Sequence, residues 1–537
     1  MSSFRKYLPD EKEKLEIKRE VKERTLKNIF YYTREDDSYM RRLLNETISA
    51  EIERWKNERE FPLSSFYIKY FKKVRQKLSK ISDNERKYLL SQIVEIYMDE
   101  IQGHFSPLIY NLATKVVPQA LSFMLTGLSL PNILIRLIEL NLPSIDTHLI
   151  IDGNREKIVK LAKKGTIMLV PTHVSHMDSP LIGYVVYKLG LPPFLYGAGL
   201  NLFANPILGF FMKNLGAYKV DRKRKHELYL DTLKEYVCAT LEREYDHIFF
   251  PEGTRSRTGT FPEKLKMGIL GCGLKSFINN LQMKKERPNI YIVPATFTYH
   301  LVLEAESLIK QYLEDTTKED WVSYSDEAFK IPRIVDFIKR IVEMDIKVFV
   351  RLSDAFDPFG NYVDDDGNSL DPSGRPIDPK KYVIKDGNIV HDSQRDAEYT
   401  KELAGKILKT YRKDNMVLST NLSCFTIFHL GMKKVEEDNE IRALSLMEGL
   451  EIDMKETLKY LEIAKEKFVE LEKEDKIKVV DRVKVKTAGN IIDTAYRVFS
   501  KYHKIPPFTI SKNKIKILNP PLLYYYRNRL KDYILLD

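Results

Sequence analysis

Two short apolar runs, each ending in a loop dense with chemically capable side chains, set the terms for this chain. The first is Thr166-Ile167-Met168-Leu169-Val170-Pro171, followed directly by Thr172-His173-Val174-Ser175-His176-Met177-Asp178. The second is His247-Ile248-Phe249-Phe250, ending in Pro251-Glu252-Gly253-Thr254-Arg255-Ser256-Arg257-Thr258-Gly259. Short, unbroken apolar runs bounded by turn residues read as strands buried on both faces. Ligands of open α/β sheets sit at the carboxyl ends of strands. The two loops are therefore expected to face one pocket, one carrying a base and the other an anion clamp.

Further strand candidates at 194–197, 216–220, 290–294 and 346–352 alternate with helical segments at 177–190, 226–243 and 266–280. That alternation predicts an α/β layer. Residues 1–104 form a helical N-terminal region, with apolar sets such as Ile48, Ile52, Trp55 and Leu89, Ile93, Ile96 at helical spacing. Residues 105–160 connect it to the core. They include a charge-free stretch, 116–135, interrupted by Pro118, Gly127 and Pro131. A spanning helix needs about twenty apolar residues, so this stretch is expected to be buried or interfacial and to touch a membrane. The core is expected at 161–355, with a loop-rich insertion at 356–394 and a mostly helical region at 395–537. No internal repeat is evident. The charged N-terminus carries no pattern of a secretory signal.

The net charge of +11 favours anionic partners: a membrane surface, an acidic carrier protein or a phosphorylated substrate. Nucleic acid is not expected, because the basic run Arg222-Lys223-Arg224-Lys225 has no stacking platform or recognisable module beside it. That run reads as a solvated helix start that would also suit an anionic headgroup. Three widely spaced cysteines, Cys238, Cys272 and Cys424, argue against a disulfide framework and a structural zinc site, and fit a reducing cytoplasm.

Across a turn, the five-residue separation of His173 and Asp178 can bring a carboxylate to the far nitrogen of an imidazole. The carboxylate then fixes the tautomer and stabilises the imidazolium, the orienting role of Asp in a catalytic triad. A substrate hydroxyl can stand in the nucleophile's place. Metal binding by His173, His176 and Asp178 is the rival reading, but such sites need further ligands and none clusters nearby. Asp364-Asp365-Asp366-Gly367-Asn368 is not a calcium loop, since its twelfth position is Arg375. In the second loop, Arg255 and Arg257, bracketed by glycines and hydroxyls, can surround a phosphate. Glu252 is expected to hold that loop through backbone N–H groups or an arginine.

These residues resemble the motif blocks of the glycerolipid acyltransferase superfamily. The blocks are His173-x-x-x-x-Asp178, then Gly216-Ala217-Tyr218-Lys219-Val220-Asp221-Arg222, then Glu252-Gly253-Thr254-Arg255-Ser256-Arg257, then Ile292-Val293-Pro294-Ala295-Thr296. Ser175-His176-Met177-Asp178, Gly197-Ala198-Gly199-Leu200-Asn201-Leu202, Arg255-Ser256-Arg257-Thr258-Gly259 and the tail Leu523-Tyr524-Tyr525-Tyr526-Arg527-Asn528 look most like membrane-associated bacterial glycerol-3-phosphate acyltransferases. The resemblance implies an α/β acyltransferase core with a mixed sheet flanked by helices, with helical regions at both ends. It implies transfer of a fatty acyl group from acyl-CoA or acyl carrier protein to the sn-1 hydroxyl of glycerol-3-phosphate, at the cytoplasmic face of a membrane. His173 and Asp178 would be catalytic. Glu252, Gly253, Thr254, Arg255, Ser256, Arg257, Arg222 and Lys266 would bind substrate, with no metal or cofactor beyond the acyl donor. Val220-Asp221-Arg222 and Thr254 are nearer to the lysophosphatidate enzymes, which leaves lysophosphatidate or another lysolipid as the alternative acceptor. A metallohydrolase and a non-catalytic membrane-binding protein are the alternatives from other classes.

Overall fold

In the computed structural model the described residues are 8–36, 38–57, 64–111, 148–200, 203, 212–318 and 346–536. The stretch 116–135 lies outside them. Among the described residues no helix is long and apolar enough to cross a membrane.

Both apolar runs lie in the middle of a seven-stranded sheet. Its strands are β1 (Leu149–Gly153), β2 (Thr166–Pro171), β3 (Leu195–Gly199), β4 (Ala217–Val220), β5 (His247–Ile248), β6 (Ile290–Tyr299) and β7 (Val348–Leu352). Their spatial order is β1-β7-β6-β2-β5-β3-β4. The strands from β6 to β4 in that order pair in parallel, β7 runs antiparallel to β6, and β1 is parallel to β7. The sheet is mixed, as expected. β2 is flanked by β6 and β5 and buried at all six positions, which is why its sequence shows no polar alternation.

Helices α1 (Glu11–Glu35), α2 (Tyr39–Asn57), α3 (Ser64–Lys77) and α4 (Asp83–Ile101) form the N-terminal region. A capping box between Ser82 and Glu85 starts α4. Core helices α5 (Arg155–Ala162), α6 (Asp178–Lys188), α7 (Glu227–Glu242), α8 (Met267–Gln282) and α9 (Ala305–Thr317) connect the strands. α1 lies on α7 through Arg24 to Glu242 and Asn28 to Glu235. Gly103 abuts β4 so closely that a Cβ there would meet the Ala217 carbonyl oxygen at 2.4 Å. The N-terminal region is thereby fixed to the edge of the sheet.

β6 runs five residues past Pro294, where the sequence reading ends it. Proline lacks a ladder donor and normally argues against a central strand. Here the missing donor falls where the pairing of β6 passes from Phe356, bonded to Ile292, to Leu352, paired with Ala295. The Pro294 carbonyl still accepts the Ser353 N–H at 3.0 Å.

The expectation of no internal repeat is overturned in the insertion. Asp357, Asp364 and Asp371 open three seven-residue units, each with Gly at its fourth position. In each unit Asp Oδ1 accepts the N–H groups two and four residues on, at 2.8–2.9 Å. Gly360, Gly367 and Gly374 have φ of +83°, +85° and +79°, a left-handed turn that glycine enters without strain. The units end in strands β8 (Tyr362–Val363), β9 (Ser369–Leu370) and β10 (Pro376–Ile377), which pair as a small antiparallel meander.

The C-terminal region is mostly helical: α10 (Ser393–Lys413), α11 (Ser419–Val435), α12 (Glu440–Met447), α13 (Met454–Lys473), α14 (Asp481–Val485), α15 (Ala488–Tyr502) and α16 (Pro520–Arg527). It also holds a three-stranded sheet of Glu451–Asp453, Lys514–Ile517 and Phe508–Ser511, which helical periodicity did not reveal. Asn519 caps α16 and prolines occupy its first turn.

Candidate active site

β2 ends at Pro171 and α6 begins at Asp178, so the turn between them places His173 and Asp178 side by side. Asp178 Oδ2 lies 3.0 Å from His173 Nδ1 and also accepts the N–H groups of Val174 at 2.6 Å and Ser175 at 2.9 Å. Oδ1 receives the Tyr299 hydroxyl at 2.5 Å. Asp178 is fully buried, and four donors compensate its charge. His173 must carry its proton on Nδ1 to donate to this carboxylate. That leaves the lone pair on Nε2, which has no hydrogen-bond partner among the described residues. The ring stacks on Phe250 at 4.2 Å between centroids, so the segment just after β5 fixes its plane. Burial holds the His173 pKa below its ordinary value; Asp178 opposes that, and the charges of Arg255 and Arg222 add to it. A neutral imidazole with a free Nε2 can take a proton from a hydroxyl.

The loop after β5 is sewn onto the His173 backbone. Glu252 Oε1 accepts the His173 N–H at 2.8 Å, and Ser256 N–H donates to the His173 carbonyl at 2.9 Å. Gly253, at φ +78°, turns the chain between them. Glu252 thus holds the loop, as its sequence position suggested. The Ser256 hydroxyl is spent inside the loop on the Thr260 carbonyl at 2.7 Å. Thr254 is exposed, and Lys266 is exposed with its backbone N–H on the Pro251 carbonyl.

The two arginines of this loop part company. Arg255 turns toward the turn after β2, 3.3 Å from Glu304, and its charge reaches both His173 and His176. Arg257 is half-exposed and pairs with Asp315 on α9 at 2.5 Å. The partner of Arg255 at the site is instead Arg222, whose charge bears on both histidines and on Arg255. Arg222 makes no hydrogen bond or ion pair among the described residues. Two cations held near one imidazole form a site for an anion.

The basic run at 222–225 is not uniformly solvated, contrary to the reading of its sequence. Arg224 is 4% exposed and contacts Glu51 at 3.2 Å, Glu100 at 2.5 Å and Asp221 at 3.4 Å. Arg54 reaches Asp221 at 3.2 Å. Asp221 is therefore committed to the N-terminal helices, and this ionic network fixes the loop that carries Arg222.

Sequence reasoning missed several residues. Glu304, 2% exposed at the start of α9, accepts the Ser175 hydroxyl at 2.8 Å and the His176 N–H at 2.9 Å. It props the turn between His173 and Asp178. From the C-terminal tail, Arg529 lies over the Phe261 ring at 3.7 Å and donates to the Phe297 carbonyl at 2.8 Å. The Asn528 amide donates to the Thr258 carbonyl at 2.9 Å. The rival metal reading meets a different arrangement. His173 Nδ1 is committed to Asp178, His176 Nε2 is 4.0 Å from Glu304, and among the described residues no three His, Cys, Asp or Glu side chains converge to hold a metal.

Comparison with known proteins finds likenesses that cover part of the chain. Residues 152–298 match the family model described as Acyltransferase. Curated relatives named glycerol-3-phosphate acyltransferase include those of Histophilus somni, 36% identical, and Haemophilus ducreyi, 38% identical, each over 168 residues. Each alignment takes in 31% of this chain and 20% of the relative, so the chain spans about a fifth of the length of the curated relatives it matches. The 1-acyl-sn-glycerophosphate (LPA) acyltransferase of Thermotoga maritima aligns over 68% of this chain and 96% of its own, at 14% identity and a TM-score of 0.26, too low to carry geometry across. Residues 152–298 are therefore similar to the Acyltransferase family, and about a third of the chain is similar to part of bacterial proteins named glycerol-3-phosphate acyltransferase.

Proposed function

We propose that this chain transfers a fatty acyl group from acyl-CoA or acyl carrier protein to the sn-1 hydroxyl of glycerol-3-phosphate, giving lysophosphatidate. The observation that carries the reading is the shared address of base and clamp. His173 Nδ1 is 3.0 Å from Asp178, and the charges of Arg222 and Arg255 both bear on the same imidazole. Nε2 of His173 removes the acceptor's hydroxyl proton. The oxygen attacks the thioester carbonyl, and the tetrahedral oxyanion collapses to expel the thiol, which takes the proton back from the imidazolium. Arg255 and Arg222 hold the acceptor phosphate, which turns a bimolecular encounter into a positioned one. Asp178 keeps the tautomer and stabilises the imidazolium. Nothing in this sequence of steps calls for a metal or a covalent acyl-enzyme. The long acyl chain and the net charge of +11 support action at the cytoplasmic face of a membrane, with 116–135 as the contact.

Acylation of lysophosphatidate is the second reading, drawn from Val220-Asp221-Arg222 and Thr254. The binding of Asp221 by Arg54 and Arg224 gives that aspartate a local structural reason, which weakens its value as a mark of the acceptor. The test offers palmitoyl-CoA with glycerol-3-phosphate and, separately, with lysophosphatidate. Product from glycerol-3-phosphate supports the first reading; product from lysophosphatidate alone replaces it with the second.

A further inference from the structure

The C-terminal helix α16 brings Tyr525 to the back of the site. Tyr525 is 2% exposed, and its buried hydroxyl has no hydrogen-bond partner among the described residues. A buried hydroxyl left unsatisfied bears the full cost of its desolvation, and phenylalanine would fill the same space without that cost. The hydroxyl also lies in the field of the site's charged groups. The charges that bear on it are those of Glu304, Arg529, Arg255 and Asp178, and it acts in turn on Tyr299, the residue that bonds Asp178. The backbone around it is fixed. Gly259, at φ +81°, lies so near that a Cβ there would meet the Tyr525 carbonyl oxygen at 2.2 Å, and Asn528 is bonded to Thr258.

Glu304 has the complementary difficulty. It is buried, it holds Ser175 and His176, and its counter-ion is Arg255 at 3.3 Å. In the reaction proposed above, on which this inference rests, Arg255 turns to the acceptor phosphate. Glu304 then keeps two neutral donors and loses its cation, and a buried carboxylate without compensation is strongly destabilising. We infer that Tyr525 is a positioning residue whose hydroxyl donates to Glu304 when Arg255 is drawn onto a substrate phosphate. One hydrogen bond replaces one ion pair, and the turn from Ser175 to Asp178 stays in place while the clamp closes.

The experiment is Tyr525→Phe in the full chain, with Glu304→Gln alone and combined with it. Binding of glycerol-3-phosphate and, in a second arm, of inorganic phosphate is measured by calorimetry, and unfolding by a thermal melt. Tyr525→Phe is expected to weaken phosphate-ligand binding about tenfold, in line with one hydrogen bond to a charged group. The unfolding midpoint should be unchanged or higher, and the KM for palmitoyl-CoA unchanged. In the Glu304→Gln background, where no carboxylate loses a counter-ion, Tyr525→Phe should do nothing further. Unaltered binding, a lowered midpoint, or an equal loss in both backgrounds each overturns the inference. If Tyr525→Phe weakens inorganic phosphate but the natural chain neither binds nor acylates glycerol-3-phosphate, the role of Tyr525 stands and the acceptor assignment falls. If the natural chain binds neither ligand, both fall.

Discussion

The carboxylate of Glu252 accepts the backbone N–H of His173 at 2.8 Å, joining the loop after β5 to the turn after β2. Burial pushes its pKa up to about 8, against the pull of the His173 N–H and Arg529. In the unfolded chain the group ionises near its ordinary value of 4.5. Between those values the folded state holds a proton that the unfolded state has lost, so this contribution to stability falls as pH rises through that window. Glu252→Gln keeps the accepting oxygen and cannot ionise. Thermal melts from pH 5 to about pH 8.5 should show the natural chain losing midpoint relative to Glu252→Gln as pH rises. Parallel curves would show that Glu252 stays ionised in the folded protein.

Asp178 serves the base and the turn at once, through one oxygen shared by His173, Val174 and Ser175 and another given to Tyr299. Asp178→Asn keeps an oxygen for the backbone donors but removes the charge that stabilises the imidazolium. The corresponding change in a Ser-His-Asp triad costs about 10⁴-fold in kcat. A fall in kcat of about 10³-fold or more is expected here, with the KM for glycerol-3-phosphate little changed and the far-ultraviolet circular dichroism intact. A variant within about tenfold of the natural rate would remove Asp178 from the mechanism.

His173 has to be neutral to act as a base, so the acid limb of kcat/KM follows its pKa in the free enzyme. That pKa is held low by burial first and by Arg255 and Arg222 in addition, with Asp178 working the other way. Arg222→Gln removes a positive charge that disfavours the imidazolium. The acid limb should move to higher pH, and Arg222→Lys should leave it in place. A pH–rate profile unmoved by Arg222→Gln would place Arg222 outside the field of the base.

The parts of the site that were legible in the sequence are the loops at two strand ends and the pair made by neighbours along the chain. His173 and Asp178 share one turn, and β2 betrays itself because burial on both faces leaves only apolar residues in it. Glu304 and Tyr299 were hidden behind Pro294, since a proline normally closes a strand and β6 carries the chain on to both of them. Tyr525 and Arg529 come from a tail more than two hundred residues away in sequence, brought in only by the docking of α16. Local periodicity says nothing about such a contact. The repeat at Asp357, Asp364 and Asp371 escaped notice for another reason: turn chemistry recurs there every seven residues without the apolar pattern by which repeats are usually found.

Arg255 and Arg257 look equivalent in the motif but not in the fold. Arg255 is mostly buried beside Glu304, and its charge reaches the imidazole; Arg257 is half-exposed and spent on Asp315. A hydrogen bond to a charged partner is worth about 1.5–3 kcal/mol, or roughly ten- to a hundredfold in binding. Arg255→Ala should raise the KM for glycerol-3-phosphate by that factor and leave the KM for palmitoyl-CoA unchanged. Arg257→Ala removes an exposed ion pair worth at most about 1 kcal/mol and should change either constant less than fivefold. Steady-state kinetics with each substrate varied in turn decides between them. Equal effects of the two substitutions would mean that Arg257 leaves Asp315 to join the clamp during turnover, and that the phosphate is held by three arginines rather than two.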